Sequence, residues 1–418
     1  MDVDFSNLNT EDHIRFARVF KEHGYTAMIV GGAVRDVFLG STVKDIDWAT
    51  DAKPSDVITM FERKGFNVIQ TGIQHGTVTV MMHGEPYEVT TLRVDTNTDG
   101  RHADVEFTSD WKLDASRRDF TINALYYDPL SGDVFDFFDG IDDINNRIIR
   151  FVGDPEERIR EDYLRILRYF RFVLKMLDSD PDRVSSLGLD TMPEDRIVKA
   201  IKDNINGLID ISRERIWMEF SRILVSRSFP AIVYTLAQTG INEVVLGHPV
   251  NSLPVNLFKS IRNFTVEPVA LLVAYDISRI DMLNGEKEKQ YIDKMVHLMK
   301  MSNREKKLFT FLVEKNSLAK SINFDIMDYK DFLVEGFPLD WVYILAAFGS
   351  DRNIMSELLH WEVPVFPITG KLLIELGATP GKPMGELLSR MKRKWMKSNY
   401  TLTADEMLHS EGLKNLGG

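Results

Sequence analysis

The sequence predicts an α+β protein, with a small β-sheet in the front third and a chain that is helical from there to the C-terminus. Three observations carry that expectation. Short β-branched runs bounded by glycine or proline fall between Tyr25 and Phe137, alternating with amphipathic segments. From Asp139 onward the apolar residues recur at helical spacing. Charge is also divided unevenly: the net charge is −12, and residues 1–150 hold 15 basic and 26 acidic side chains, against 36 and 37 in the rest.

In chain order, Asn9 and Thr10 can cap a helix whose apolar face includes Ile14, Phe16, Ala17 and Phe20 and which ends at Gly24. Tyr25–Val30 is the first expected strand. Gly31 and Gly32 let backbone N–H groups approach an anion at a helix start, and Arg35 adds a cation one turn later. Gly40 can end that segment. Asp45 and Asp47 follow, two residues apart, so on a strand both carboxylates face the same way. Like charges side by side repel unless a cation sits between them. A phosphate cradle and a carboxylate clamp within residues 28–50 suggest phosphoryl or nucleotidyl transfer.

Pro54 opens a helix through Phe61 that Gly65 closes. Phe66–Ile69, Gly76–Met82 and Pro86–Leu92 read as strands by their β-branched content. Glu88 lies on the last of them, where it either completes a triad with Asp45 and Asp47 or stands exposed on an edge strand. Residues 93–107 read as a polar loop, of a length that tends to be functional or disordered. Thr108–Arg117 reads as a helix leading into Arg117, Arg118, Asp119 and Asn123. Adjacent arginines beside an Asp and an Asn could hold a triphosphate and ribose hydroxyls, or form a surface ion pair. Tyr126–Phe137 resembles a β-hairpin turning at Pro129 and Gly132.

A helix over 156–177 is expected to carry Asp162, Arg165, Arg168 and Arg171 on one stripe, with Leu164, Leu167, Phe170 and Leu174 facing the core. Such a stripe is often a solvated salt-bridge face. An Asp beside an Arg also presents an acceptor next to a donor, which matches the Watson–Crick edge of cytosine or adenine. Uracil and guanine place a carbonyl where the amine should be and leave the Asp unpaired, so a site built this way rejects them. Residues 178–193 form an expected loop, followed by helices over 193–206 and 212–224. Further on, Lys371, Lys382 and the run from Arg390 to Lys397 form a basic cluster. Interleaved with Trp395 and Tyr400, it is either a solvated helix face or an RNA contact.

Composition excludes several classes. The chain has 418 residues, enough for two to four domains, and no cysteine, so disulfides, thiolate metal sites and Cys nucleophiles are ruled out. No apolar run approaches roughly 18 residues, so no membrane span is expected. The N-terminus is acidic and lacks both an apolar signal core and an Arg-rich transit pattern. The expected location is therefore the cytoplasm, or the mitochondrion if a transit peptide has been removed from a longer precursor.

The ordered motifs Gly-Gly-Ala-Val-Arg-Asp (31–36), Asp-Ile-Asp (45–47), Arg-Arg-Asp-Phe-Thr-Ile-Asn-Ala (117–124), Glu-Asp-Tyr-Leu-Arg-Ile-Leu-Arg-Tyr-Phe-Arg-Phe (161–172) and Ser-Arg-Glu-Arg-Ile-Trp-Met-Glu (212–219) resemble those of class II CCA-adding enzymes. These tRNA nucleotidyltransferases share a fold with bacterial poly(A) polymerases. Pro-Val-Phe-Pro-Ile-Thr-Gly (364–370) is similar to the mitochondrial-type branch.

The resemblance implies a nucleotidyltransferase head with a small mixed sheet (1–147), then an all-α neck (148–225), body (226–355) and tRNA-contacting tail (356–418). It implies that Asp45 and Asp47 bind two Mg²⁺ ions, with Glu88 as the third carboxylate. Gly31, Gly32, Arg35 and Arg118 would hold the triphosphate, and Asp119 the ribose. Asp162 and Arg165 would select CTP and then ATP, with Arg168 and Arg171 lining the same site. Residues 93–107 match the flexible loop that family members need for the final A, which speaks against an enzyme that adds only C. Trp48 departs from the Phe or Leu usual after the Asp pair, and no His-Asp dipeptide marks an appended phosphohydrolase domain.

The expected activity is addition of C, C and A to tRNA 3′ ends from CTP and ATP. The alternatives are a poly(A) polymerase or A-adding relative, and a noncatalytic tRNA-binding protein that kept the fold.

Overall fold

The computed structural model describes residues 3–96, 104–180, 194–250, 252–319, 325–349 and 352–413. The chain forms two compact units, one of residues 1–253 with 297–300 and one of 254–296 with 301–418.

The first unit begins with α1 (Glu11–Glu22), whose N-terminus is capped by the Thr10 hydroxyl accepting the His13 N–H. Then follow β1 (Ala27–Val30), α2 (Gly32–Phe38), β2 (Asp47–Thr50), α3 (Pro54–Arg63), β3 (Asn67–Gly72), β4 (Thr77–Met82) and β5 (Glu85–Thr91). After β6 (Arg93–Thr96), β7 (Asp104–Phe107) and α4 (Trp111–Ser116), the hairpin β8 (Leu125–Tyr127) and β9 (Val134–Asp136) completes the sheet. Seven strands lie in the order β3-β4-β5-β2-β1-β8-β9, all antiparallel except β2 against β5. The sheet is mixed, as expected.

Its two faces do different work. Trp48 on β2 is fully buried and meets Phe16 at 4.8 Å between ring centroids, while Phe16 also stacks on Phe61 at 4.9 Å and Tyr87 at 4.5 Å. Each such pair is worth about 0.5–1.5 kcal/mol beyond its buried area, so α1 and α3 are fastened to this face. Trp48 therefore fills the core and leaves the opposite face to its neighbour Asp47. On that face Met28, Val30 and Ala49 pack with Tyr126, Ala115 and Val152.

Three expectations are corrected here. The 93–107 segment is not a plain loop: Arg93–Thr96 pairs antiparallel with Asp104–Phe107. The Arg93 N–H is held by Asp114 and the Phe107 ring lies on Gly76, where a Cβ would come within 2.8 Å of it. The expected helix over 108–117 starts only at Trp111, because the Asp110 side chain caps it by accepting from the Lys112 and Leu113 amides.

The third is the expected helix 156–177, which is broken. α5 (Gly140–Asn146) leads to α6 (Pro155–Glu161), and α7 (Arg165–Asp178) starts after a gap at 162–164. Asp162 is extended, at φ −151° and ψ 104°, and its Oδ1 accepts the Leu164 N–H at 3.1 Å. That local bond competes with the helix. The next residue, Tyr163, lies against Gly207, where a Cβ would come within 2.2 Å of its ring.

Residues 97–103 and 181–193 lie outside the described residues, and with them the rest of the expected 93–107 and 178–193 loops and the expected helix start at Pro193. The unit continues through α8 (Asp195–Asn204) and α9 (Arg213–Leu224), the latter capped by Ser212, and reaches α10 (Val233–Thr239) and α11 (Ile241–Val245).

The second unit is helical among its described residues. Helix Pro268–Tyr275 is buried from Val269 to its end and helix Leu339–Phe348 from Trp341 except at Tyr343, so both run through its core. In helix Lys382–Lys397, Trp395 is 3% exposed and packs with Ile368, Leu373, Met391 and Leu408. Tyr400 donates to Asp331 at 2.7 Å. The Trp395 ring does not offer the stacking platform expected of an RNA contact, because the apolar stripe of this helix needs it as core. Arg390 and Lys394 pair with Glu411, Lys371 lies 4.0 Å from Glu375 and Lys382 3.9 Å from Glu386, and all four, with Arg393 and Lys397, are exposed. Among the described residues no helix is long and apolar enough to cross a membrane.

Candidate active site

Gly31 ends β1 with φ +71° and ψ −117°, a conformation that L side chains rarely adopt, and its carbonyl accepts the first helical bond of α2 from Arg35. Arg35 thereby sits inside the structure, 7% exposed, donating to Asn123 Oδ1 at 2.5 Å and to Asp36 at 2.8 Å. A methyl group on Gly31 would come within 3.4 Å of the Arg118 guanidinium. The glycine pair is thus where two arginines from distant segments converge on the backbone.

β2 starts at Asp47, so Asp45 precedes the strand rather than lying on it. The register pairs Asp47 directly with Glu88 on β5. Because β5 lies inside the sheet between β4 and β2, the edge-strand alternative for Glu88 does not hold. Asp45, Asp47 and Glu88 together line one cavity of about 720 Å³. Neither Asp47 nor Glu88 has a hydrogen bond or ion pair among the described residues. Both side chains reach solvent, yet the protein crowding them pushes their carboxyls up. For Asp47, Arg118 works against that rise and Asp45 adds to it; for Glu88, Asp47 adds to it. As they stand, no three His, Asp or Glu among the described residues close around a single point. The donor set, hard carboxylate oxygens without competing partners, suits a divalent cation such as Mg²⁺ rather than a soft metal.

A stability consequence follows. Carboxyls whose pKa rises on folding hold protons longer in the native state than in the unfolded chain. Their charge therefore costs stability at neutral pH, and the cost fades as pH falls through the raised values. In chelator, Asp47→Asn should raise Tm by about 1–2 °C at pH 7.5, a small gain because the side chain is partly solvated. The gain should shrink at pH 4. A melting scan showing Asp47→Asn less stable than the parent at pH 7.5 would remove the argument.

Beside these carboxylates opens a cleft of about 560 Å³ that shares Asp47 and Glu88 with the first cavity. Gly31, Gly32, Arg35, Arg118, Asp119, Asp162, Arg165, Arg168 and Arg171 all line it. Segments far apart in the chain are thus brought to one place. Among the described residues eight basic and four acidic side chains face this space, and four of the basic ones, Arg165, Arg168, Arg171 and Lys175, come from beyond the acidic front third, so the cleft is positive. A triphosphate offers about the charge that would balance it.

Each basic group is held by a specific partner. Asp114, 1% exposed, binds Arg117 at 2.8 Å and Arg118 at 3.0 Å and accepts from Tyr126 at 2.7 Å. Burial opposes the charge on Asp114, but the two arginines outweigh it and hold its carboxyl below the usual range. Burial likewise opposes the charge on Asp119, and Arg168 and Asn123 outweigh it. Burial brings Arg171 down to about 10, partly offset by Glu219 at 2.8 Å. The Phe172 ring lies 4.9 Å from the Arg35 guanidinium and 4.4 Å from that of Arg171, a cation–π contact with each.

The break after α6 changes how Asp162 and Arg165 are presented. Asp162 comes from the turn and not from the stripe; its Oδ2 accepts from Arg215 on α9 at 2.9 Å. Arg165 opens α7 and donates to Glu161 at 2.6 Å and to the Arg158 carbonyl at 2.8 Å. Both still face the cleft.

Arg93, Phe172 and Lys175 also line the cleft and were not expected from the sequence, whereas Arg117 lines it as one of the two adjacent arginines. Lys175 pairs with Asp36 at 2.9 Å and lies four residues after Arg171, so continuing the helical spacing would have found it. Asp114, three and four residues before the two arginines, carried the same kind of signal. Arg215 belongs to a motif whose contact with Asp162 is visible only in three dimensions.

Residues 27–150 match the poly A polymerase head domain family, and residues 193–250 match a family described as the probable RNA and SrmB-binding site of polymerase A. The chain is 34% identical to the human mitochondrial CCA tRNA nucleotidyltransferase 1, across 97% of this chain and 91% of that protein. It is 30% identical to the CCA-adding enzyme of Ligilactobacillus salivarius, across 95% and 94%. The crystal structure of the Bacillus stearothermophilus CCA-adding enzyme in complex with CTP superimposes with a TM-score of 0.71 at 25% identity, covering 96% of this chain and 97% of that one.

Proposed function

The chain belongs to the CCA tRNA nucleotidyltransferases, and from that premise we propose that this cleft adds C, C and A to the 3′ ends of tRNA, taking CTP and ATP and releasing pyrophosphate. The observation that carries the proposal is the convergence on one cleft of the paired carboxylates Asp47 and Glu88, the glycine turn, and the Asp162–Arg165 pair. Carboxylates beside a phosphate cradle belong to group transfer, and an acceptor–donor pair lining the same cleft supplies a base choice.

Enzymes of this family use divalent metal ions; the finer proposal is two Mg²⁺ held by Asp45 and Asp47, with Glu88 as the third carboxylate. Bound there, such ions would activate the attacking 3′-hydroxyl and neutralise charge on the α-phosphate and departing pyrophosphate. The chain's own residues do the rest. Gly31 and Gly32 admit the phosphates close to backbone, and Arg35 and Arg118 neutralise them. Asp119 takes the ribose. Asp162 accepts from the exocyclic amine of C or A, and Arg165 donates to the adjacent ring nitrogen, with Arg168 and Arg171 beside them. In-line attack forms the new bond from the tRNA 3′-oxygen to the α-phosphorus as the bond to pyrophosphate breaks.

On this proposal residues 1–147 do the chemistry, 148–225 choose the nucleotide, and the body (226–355) and tail (356–418) hold the tRNA. The exposed cations Lys371, Lys382, Arg393 and Lys397 support the tail's part through phosphate contacts rather than stacking. The vertebrate relatives' names support a mitochondrial place of action. The test is which nucleotides extend a tRNA that lacks its CCA: C must enter before A, whereas a poly(A) polymerase would add A alone.

A further inference from the structure

The carboxylate proposed to hold the ribose has no acceptor position left. Asp119 is 8% exposed. Its Oδ1 accepts the Phe120 N–H at 2.9 Å and an Asn123 side-chain N–H at 3.0 Å. Its Oδ2 accepts Arg168 Nε at 2.8 Å and a second donor of the same guanidinium. An ionised carboxylate offers about four lone-pair sites, and all are taken.

The partners differ in how readily they can leave. The Phe120 N–H is buried main chain, and Asn123 is pinned by Arg35 on its other end. Arg168 alone among the three has somewhere to go. Its side chain is 31% exposed, and its NH1 lies 3.8 Å from Oε1 of Glu219, a buried carboxylate whose Oε2 faces Arg171 at 2.8 Å. The Phe172 ring, 5.6 Å from the Arg168 guanidinium, borders the path.

We propose that Arg168 determines sugar specificity by competing for Asp119, so that a ribose hydroxyl gains the carboxylate only by displacing Arg168 toward Glu219. This rests on Asp119 being the ribose contact. A nucleotide with the hydroxyls must break a charge-assisted, two-pronged pair and make its own bond in exchange. A nucleotide without them leaves the pair in place. The free enzyme thereby masks part of what the hydroxyls are worth, and removing Arg168 unmasks it.

The experiment is equilibrium binding of CTP and 2′,3′-dideoxy-CTP to the full chain without tRNA, so that no transfer occurs. The readout is the ratio of the dideoxy Kd to the CTP Kd, in which any contact of Arg168 with base or phosphates cancels. Arg168→Gln, which keeps the stem and loses the grip, should raise that ratio about tenfold, the size of one net charged hydrogen bond. Arg168→Lys should give an intermediate ratio and serves if the Gln variant fails to fold. Asp119→Asn should bring the ratio close to one. A ratio unchanged in both Arg168 variants, with Asp119→Asn still lowering it, overturns the competition and leaves the ribose contact standing. A ratio unchanged in Asp119→Asn overturns the ribose contact itself.

Discussion

Asp47→Ala is expected to end nucleotide transfer and to leave tRNA binding nearly intact. Asp47 stands in register with Glu88 on neighbouring parallel strands, carries no ion pair or hydrogen bond among the described residues, and lines both cavities. A side chain placed this way contributes little to folding and a great deal to gathering positive charge where the α-phosphate reacts. The loss should be roughly four orders of magnitude in the rate of C addition, the scale seen when one member of a catalytic unit is removed. The dissociation constant for tRNA should stay within about threefold, because on the proposed function phosphate contacts elsewhere carry that affinity. Single-turnover addition of labelled CTP, with tRNA binding measured in parallel, separates the two. Incorporation within tenfold of the parent would rule Asp47 out as a metal-holding carboxylate.

Asp162→Ala, by contrast, should leave transfer running and spoil its choice. On the proposed function the Asp162 carboxylate is the acceptor that cytosine and adenine satisfy and uracil and guanine do not. Discrimination rests on the penalty of facing two acceptors at each other, so deleting one acceptor removes the penalty. The preference for CTP over UTP, measured as the ratio of kcat/KM values, should fall about a hundredfold. The KM for CTP should rise less than that, since on the proposed function Arg35 and Arg118 hold the triphosphate. Arg165 keeps its bonds to Glu161 and the Arg158 carbonyl in the variant, so its donor stays in place. Preserved rejection of UTP and GTP by Asp162→Ala would contradict the reading of Asp162 as the base-selecting acceptor.

How far the sequence could carry these conclusions depended on whether each feature is local. The glycine turn, the Asp pair and the Arg-Arg-Asp segment are runs of a few residues whose chemistry is readable from spacing, and the structure gathers them around one cleft and the adjoining cavity that shares Asp47 with it. Glu88 was readable as a candidate but not as an answer, because the strand register that pairs it with Asp47 is set by the β2–β5 crossover. The break at Asp162 was not readable. Helical spacing through Arg165, Arg168 and Arg171 favoured one continuous helix. The Asx turn, the Tyr163–Gly207 contact and the Arg215 pair that interrupt it involve residues up to 53 positions away. Trp395 misled for a related reason: an aromatic among lysines looks like a stacking platform until the packing of the helix is known.

The central claim is that one cleft both transfers nucleotides and chooses them from its own side chains. Its most direct test is sequencing the 3′ ends of a tRNA transcript that stops before the CCA, after incubation with all four nucleoside triphosphates and Mg²⁺. The account predicts C, C and A in that order, no U or G, and a stop after the single A. Runs of A without preceding C, or indiscriminate addition of all four nucleotides, would contradict it.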